Sequence, residues 1–459
     1  MMQTCAVILA GGQGKRMKSQ LPKPLFKVLG EPMLEWVIRA CNEAGIADLC
    51  IVKGFNASYI DEYLNGRYPT VLQAERLGTG HAALQAKEFL EAHKEGHTLV
   101  LCGDAPFMDA TTLQSALELH IRKNHAVTVI SAENANPTGY GRILRTEEGI
   151  SGIVEERDAD PIQKQITEIN SGAYWFSTEA LLEALARLTP SNTQGEYYLT
   201  DTVSILLEMG CRAGAYRTEN EDAVLGANTP HELLRLNTIA RMEIIDCHLS
   251  NGVEFTCTDG ITIGRDVRIG AGTSILPGTI LSGKTTIGEN CVIGPNSIVE
   301  DTTVGDGTKL NYVQAFSSVI GNEVKIGPFV HIRPDSVIKD GVKIGDFVEV
   351  KNSTIGENTA VAHLTYVGDS DVGRNVNFGC GCVTVNYDGS KKSRTTIKDN
   401  AFIGCNTNLV APVTVGEGAY TAAGSTITKD VPDNALAIER AEQRIKEGYA
   451  LRKLKSRKK

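Results

Sequence analysis

The run Cys5-Ala-Val-Ile-Leu-Ala10 ends in Gly11-Gly-Gln-Gly-Lys-Arg16, and Leu21-Pro-Lys-Pro24 follows it closely. A glycine-rich turn leaving a strand brings backbone N–H groups near phosphate oxygens, and Arg16 and Lys23 can neutralise them. A Walker A loop would need glycine at Leu9 and Ser or Thr at Arg16, and the dinucleotide fingerprint would need glycine at Met17. These residues alone leave a tight structural turn open beside phosphate binding. Asp104 follows the apolar run Thr98-Leu-Val-Leu-Cys102, which sets its carboxylate at the carboxyl edge of a sheet, where open α/β folds bind ligands. A hard oxygen donor there suits Mg²⁺, and capping of the next turn is the equal alternative. In the second half, Ala362-His-Leu-Thr-Tyr366 breaks the hexapeptide rule by setting polar groups where the turn of a repeat is expected. His363 is then either a satisfied structural histidine or a general base.

Two kinds of sequence must position these groups. Up to about Asn228, short β-branched runs alternate with amphipathic segments, as a mostly parallel α/β sheet requires. The runs are Cys5–Ala10, Leu49–Val52, Thr70–Leu72, Thr98–Cys102 and Ala126–Ile130, and a helix is predicted over Pro32–Ala44. Another helix starts near Pro230, where Thr229 and Glu232 have capping-box spacing. Its Leu233, Leu236, Ile239 and Met242 form a stripe that suits packing on a domain better than a partner.

From Ile263 an aliphatic residue recurs every six positions, through Ile269, Ile275, Leu281, Ile287, Ile293 and Val299. The register slips, then resumes at Ile320, Ile326, Ile332, Ile338, Ile344 and Val350, and again at Ile355, Val361, Val367, Ile403, Leu409 and Val415. Six fits neither an α-helix nor a flat sheet; it fits a chain wound on a triangular prism, a hexapeptide parallel β-helix. Residues 386–396, with Lys391, Lys392 and Arg394, interrupt the period as an extruded loop that could touch a neighbouring subunit. The division expected is 1–229, a helical linker over 230–250, and 251–459.

With 459 residues, 42% hydrophobic and 22% charged, the chain exceeds one core and has an ordinary globular composition. A formal charge of −9 argues against nucleic acid as a partner, despite a basic tail from Arg440 to Lys459. No apolar run is long enough to cross a bilayer, no leader precedes the first strand, and the cytoplasm is expected. Eleven scattered cysteines without a Cys-x-x-Cys pair suit reduced, mostly buried thiols.

Further motifs break the ties. Leu72-Gln-Ala-Glu-Arg-Leu-Gly-Thr-Gly-His81, Cys102-Gly-Asp-Ala-Pro106, Thr138-Gly-Tyr-Gly-Arg-Ile143, Gly152-Ile-Val-Glu155, Glu168-Ile-Asn-Ser-Gly172 and Gly226-Ala-Asn228 occur in the order found in sugar-nucleotide pyrophosphorylases. Arg333, Lys351, His363, Tyr366, Asn377 and Val385-Asn-Tyr-Asp-Gly389 match a β-helix acetyltransferase. Together the halves resemble the bifunctional N-acetylglucosamine-1-phosphate uridylyltransferase and glucosamine-1-phosphate acetyltransferase family. The fold this implies is a Rossmann-like α/β nucleotidyltransferase sheet followed by a left-handed parallel β-helix of hexapeptide repeats.

The resemblance implies transfer of UMP from UTP to N-acetylglucosamine-1-phosphate, after acetylation of glucosamine-1-phosphate by acetyl-CoA. It assigns Leu9, Ala10, Gly11, Gly12, Arg16, Lys23, Cys102, Gly103 and Asp104 to the nucleotide, and Gln73, Gly78 and Thr79 to the uracil. Gly141, Glu155 and Asn170 would meet the sugar, while Asp104 and Asn228 would hold one or two Mg²⁺ ions. Gly11 and Lys15 stand where alanine and threonine are usual. In the second half it makes His363 the base, gives the sugar phosphate to Arg333, Lys351, Tyr366 and Asn377, and gives acetyl-CoA to Cys380, Asn386, Tyr387, Cys405, Ala423 and Arg440. It further implies a homotrimer acting on small molecules, with no nucleic acid and no membrane insertion. A nucleotidyltransferase with a purely structural β-helix is the alternative reading.

Overall fold

The computed structural model describes residues 3–147, 149–190 and 192–457; Lys458 and Lys459, the end of the basic tail, lie outside them. The chain divides into two compact units, Met1–Ala240 and Arg241–Lys459.

The first unit is built on a nine-stranded sheet. Its strands are β1 (Thr4–Ala10), β2 (Asp48–Lys53), β3 (Thr70–Leu72), β4 (His97–Cys102), β5 (Val127–Glu133), β6 (Arg142–Arg145), β7 (Ile150–Val154), β8 (Glu168–Ser177) and β9 (Ala213–Arg217). They lie in the order β9-β5-β8-β4-β1-β2-β3, with the hairpin β6-β7 attached to β8. Only β8 runs against its neighbours along this path. Strands buried on both faces must be apolar throughout. Accordingly Ile8 enters one core with Leu34 and Val37, while Val7 enters the other with Ala83 and Leu181. The predicted helix over Pro32–Ala44 forms as Met33–Glu43, with those two residues as its caps.

A helix, Pro230–Ser250, closes this half. Glu232 N donates to Thr229 Oγ1 at 3.2 Å, and Glu232 Oε2 accepts from Thr229 N at 3.2 Å. This is the reciprocal pair that capping-box spacing predicts. Leu236 and Ala240 are buried in the first unit, and Leu233 and Ile239 pack beside them. Met242 and Ile245 belong to the core of the second unit.

The second unit is a parallel β-helix of three sheets with eleven, ten and nine strands. Ile263, Leu281, Val299, Ala315, Ile332, Val350 and Val367 stack in one column, each paired in register with the next. Between Val299 and Ile320 the period tightens, and Val304, Leu310 and Ala315 fill the interior positions. A second interior ladder escaped the sequence reading. Thr273, Thr285, Ser297, Thr302, Thr308, Ser318, Ser353 and Thr359 are buried two residues before an aliphatic position. Several of their hydroxyls satisfy carbonyls of the next coil, as Thr273 Oγ1 donates to Gly288 O and Thr308 Oγ1 to Gly321 O, both at 2.8 Å, while Ser297 and Thr302 donate within their own coil, to Pro295 O at 3.4 Å and Glu300 O at 2.8 Å. The Ser or Thr recurring two places before many of the aliphatic positions was the available signal.

One expectation is corrected. Val361 and Val367 are both fully buried, so Ala362–Tyr366 keeps the six-residue interval. What distinguishes it is exposure of His363 at the end of a strand, Ala360–His363. The extruded loop is present: Val383–Val385 and Thr395–Ile397 flank it, Tyr387 bridges Lys392, and residues 387–392 are exposed. Among the described residues, no helix is long and apolar enough to cross a membrane.

Candidate active sites

Three parallel strands deliver the first site. In register, Leu9 of β1 lies between Val52 of β2 and Cys102 of β4, so their carboxyl ends finish together. Leu9, Ala10 and Gly11 leave this edge, Gly103 N donates to Leu9 O at 2.9 Å, and Gln73 follows β3 with its N–H on Lys53 O at 2.8 Å. Asp104 is therefore placed by the strand pairing of Cys102. Burial pushes the Cys102 thiol up to about 12, which leaves it a wall and not a nucleophile.

Lys23 connects the pieces. Its ammonium is ion-paired with an Asp104 carboxylate oxygen and donates to Asn228 Oδ1 at 2.6 Å. The Asn228 N–H in turn donates to Glu232 Oε2 at 2.5 Å, so the capping glutamate also holds the asparagine. Arg16, Lys23, Cys102, Asp104 and Asn228 line one cavity of about 430 Å³, together with Arg235 and Tyr140. Arg16 is exposed there.

The residues assigned to uracil and sugar form two further groups. Gln73 Nε2 donates to Gly78 O at 3.0 Å, and Thr79 Oγ1 accepts from Leu199 N at 3.1 Å. Gly78 has φ 113°, and a Cβ there would sit 2.5 Å from Tyr197 O, so only glycine fits. Gly141 O accepts from Asn170 N at 2.9 Å, and a Cβ on Gly141 would stand 3.5 Å from both Asn170 Cβ and Glu155 Cδ. Burial raises the Glu155 carboxyl above its usual value, against a lowering hydrogen bond from Thr200. Thr200 Oγ1 donates to Glu155 Oε1 at 3.2 Å, so the segment 197–200 borders both groups. Thr200 and Tyr174, whose hydroxyl accepts from Asn170 Nδ2 at 2.6 Å, were not anticipated, nor was the hold of the capping Glu232 on Asn228.

The second unit brings its candidates together through register. Asp346 pairs with His363. The offset of the next coil, Ala360 to Asn377, carries His363 onto Cys380. The following offsets, Asn377 to Phe402 and Phe402 to Tyr420, carry Cys380 onto Cys405 and Cys405 onto Ala423. Asn406 N donates to Cys380 O at 2.7 Å and Gly424 N to Cys405 O at 2.8 Å, as that stacking demands. One corner of the prism thus holds a column of Asp346, His363, Cys380, Cys405 and Ala423. Arg440 Nη1 donates to Ala423 O at 3.0 Å, joining its upper end. His363 and Asp346 also line a cavity of about 620 Å³.

Arg333 and Lys351 form a neighbouring column, since His331 pairs with Glu349 and Lys351 with Gly368. Gly368 leaves room for the Tyr366 ring: a Cβ there would lie 2.3 Å from the Tyr366 hydroxyl. Arg333 Nη1 sits 2.8 Å from Glu349 Oε1. The adjacent Lys392 ammonium pushes Lys351 below the usual lysine range. Asp369 is buried and accepts from Asn352 Nδ2 at 2.5 Å and from Asn386 Nδ2. Burial would raise its carboxyl, but those amides and the cations of Lys351 and Lys392 hold it below the usual range. Asp369 and Glu349 escaped the sequence reading. Lys392, on the extruded loop, lies beside Lys351. Asn377 lies on the His363 sheet, one coil above Ala360. Tyr387 is exposed on the loop and donates to Gly389 O at 2.6 Å.

Comparison with known families agrees with these two halves. A family described as nucleotidyl transferase matches residues 5–223. Bacterial transferase hexapeptide repeats match 317–352 and 394–429, and the hexapeptide repeat of succinyl-transferase matches 250–277 and 284–311. The Bifunctional protein GlmU of Caldanaerobacter subterraneus subsp. tengcongensis is 50% identical over 456 residues, covering 99% of each chain. The proteins of that name from Thermoanaerobacter pseudethanolicus and Geobacillus sp. (strain WCH70) are each 48% identical over 450 residues, covering 98% of each chain. Both halves are transferase modules, so the single-activity alternative falls. The chain belongs to the GlmU family of bifunctional proteins, its nucleotidyltransferase sheet and its hexapeptide acyltransferase β-helix matching those relatives from end to end.

Proposed function

We propose that the β-helix acetylates glucosamine-1-phosphate first and that the α/β unit then uridylylates the product, with the residues assigned above in those roles. The observation that carries this reading is convergence: two sets of groups, each remote in sequence, meet at one sheet edge and at one prism corner. In this reading the linker helix falls over 230–250, between catalytic domains at 1–229 and 251–459.

At the first site, an oxygen of the sugar phosphate attacks the α-phosphorus of UTP in line and pyrophosphate leaves. Positioning and charge neutralisation suffice, so the chain needs no covalent nucleophile. Lys23 and Arg16 neutralise the phosphates, and backbone N–H groups of the glycine loop hold them. The Lys23 ammonium between Asp104 and Asn228 marks a point where two hard oxygens already meet a cation. Among the described residues, no group of three His, Cys, Asp or Glu could hold a metal. Two oxygens plus substrate phosphates and water are what Mg²⁺ accepts, so Asp104 and Asn228 fit it, and when bound it supplies charge stabilisation to the phosphates.

At the second site His363 takes a proton from the amine as the amine attacks the thioester, and coenzyme A leaves as thiolate. Lys351 and Arg333 hold the sugar phosphate. The cofactor lies along the column above His363, bounded by Cys380, Cys405, Ala423 and Arg440. We further propose a homotrimer in the cytoplasm. Its support is an exposed corner ridge of Tyr312, Phe329, Phe347 and Leu364, all with φ between 44° and 58°. Phe329 and Phe347 stack at 5.4 Å. Four strained, exposed apolar side chains in a row suit a subunit interface.

The test is a thiol-release assay with glucosamine-1-phosphate and acetyl-CoA but no UTP. Coenzyme A released in step with acetylated sugar is expected. Release only after prior addition of UTP would overturn the order.

A further inference from the structure

The catalytic corner carries more sulfur than its proposed chemistry uses. Cys380 and Cys405 occupy equivalent corner turns of successive coils, and both are free thiols, Cys405 exposed and Cys380 half-buried. Adjacent rungs of a sheet are about 4.8 Å apart, and disulfides need Cα atoms about 4.4–6.8 Å apart. In parallel register the two Cβ atoms leave the same side of the prism, so neither backbone must move far. The Cys405 sulfur already leans toward the lower coil: a Cβ on Gly379 would lie 2.9 Å from Cys405 Sγ. A third thiol, Cys382, is buried, donates to Gly379 O at 3.0 Å and Gly404 O at 3.1 Å, and is pushed up to about 11 by burial. Burial withholds it from reaction. A structural metal does not explain the cluster, since no group among the described residues has the ligands for one.

We infer that Cys380 and Cys405 are a modification site, oxidised by hydroperoxides to a reversible disulfide one coil above His363. The exposed Cys405 thiolate attacks the peroxide O–O bond, giving a sulfenic acid and releasing hydroxide. The Cys380 sulfur then displaces the sulfenic oxygen, forming S–S and releasing the second oxygen as water. Two thiols lose two electrons and two protons, and one hydrogen peroxide becomes two waters. A cystine bridging these rungs stands over the place where the thioester must lie, so acetyl transfer stops and uridylyl transfer continues. That consequence rests on the proposed acetyl-CoA site; formation of the bond does not.

The experiment uses the full-length protein, reduced, freed of reductant and titrated with hydrogen peroxide. Free thiols are then alkylated in denaturant and peptides mapped without reduction. The expected product links the peptide carrying Cys380 to that carrying Cys405, with Cys382 alkylated, and it disappears in C380A and in C405A. The fraction of acetyl-transfer activity lost should equal the fraction linked and return with dithiothreitol. Each variant, measured against its own untreated rate, should be insensitive. Absence of the linked peptide at peroxide levels that oxidise the exposed Cys247 overturns the inference. A linked protein that still acetylates at full rate instead overturns the acetyl-CoA assignment of these two residues.

Discussion

Replacing Asp369 by asparagine keeps shape and removes one charge from the sugar-phosphate pocket. The native carboxylate accepts from Asn352 at 2.5 Å and from Asn386, one amide per oxygen. An asparagine can accept only one of them, and its own NH₂ then faces the other amide donor. A hydrogen bond to a charged group contributes about 1.5–3 kcal/mol net. If Asn386 is the partner released, about 2 kcal/mol of its positioning is lost, and at 1.36 kcal/mol per decade that is up to roughly 30-fold in acetyl transfer. The charge has a second effect with a definite sign. Asp369 favours the charged form of Lys351, whereas Lys392 beside it disfavours that form. D369N must therefore lower the pH at which Lys351 gives up its proton, and K392Q must raise it. Initial rates of coenzyme A release, measured against glucosamine-1-phosphate from neutral to alkaline pH, report both. The expected result for D369N is a fall of about 10- to 30-fold, with the alkaline rise in KM displaced to lower pH, and for K392Q the opposite displacement. Uridylyl transfer should be unchanged. A D369N protein within twofold of the native rate, or alkaline limbs that move the same way in both variants, would refute the reasoning.

His363→Ala should lower acetyl transfer by about 10²–10⁴-fold, the usual contribution of a general base, and leave uridylyl transfer intact; Asp104→Ala should do the reverse, and loss of both activities from either would contradict two separate sites. Gly78→Ala forces a Cβ against the Tyr197 backbone at 2.5 Å, so pyrophosphate release should collapse while coenzyme A release persists. Thr229→Ala removes half of the capping box and should cost about 1 kcal/mol of stability, read as a lower midpoint in urea. Glu168 should be an acid-sensitive support: burial alone would raise its carboxyl, yet bonds from Arg145 and Ser131 hold it low. Its contribution is thus present above the unfolded glutamate value of about 4.3 and lost as pH falls through the folded one, so E168Q and native protein should converge in stability in acid.

Periodicity made the architecture legible before any coordinates. A six-residue aliphatic repeat has one geometrical solution, because each coil must bury the same positions beneath the next, and the chain follows it from Ile263 to Val415 except where coils are shortened, as after Val299, and where the loop over 386–396 is extruded. The glycine loop and Asp104 were placed at a sheet edge by the apolar runs before them, since a buried strand ends where its apolar residues end. The capping of the helix at Pro230 was likewise local, four residues closing two hydrogen bonds. Sequence motifs could name His363, Cys380, Cys405 and Ala423 as residues of one site, but not show that they form one column. That depends on coil lengths: the offset from Asn377 to Phe402 is lengthened by the extruded loop, and only strand pairing reveals which residues the loop leaves in register. Nor could the sequence give Lys23 its partners, because Asp104 and Asn228 reach it from separate elements after the sheet has closed. Asp369 was invisible for the same reason. A buried carboxylate is tolerable only where amides and cations converge on it, and Asn352, Asn386, Lys351 and Lys392 converge only once the prism is wound.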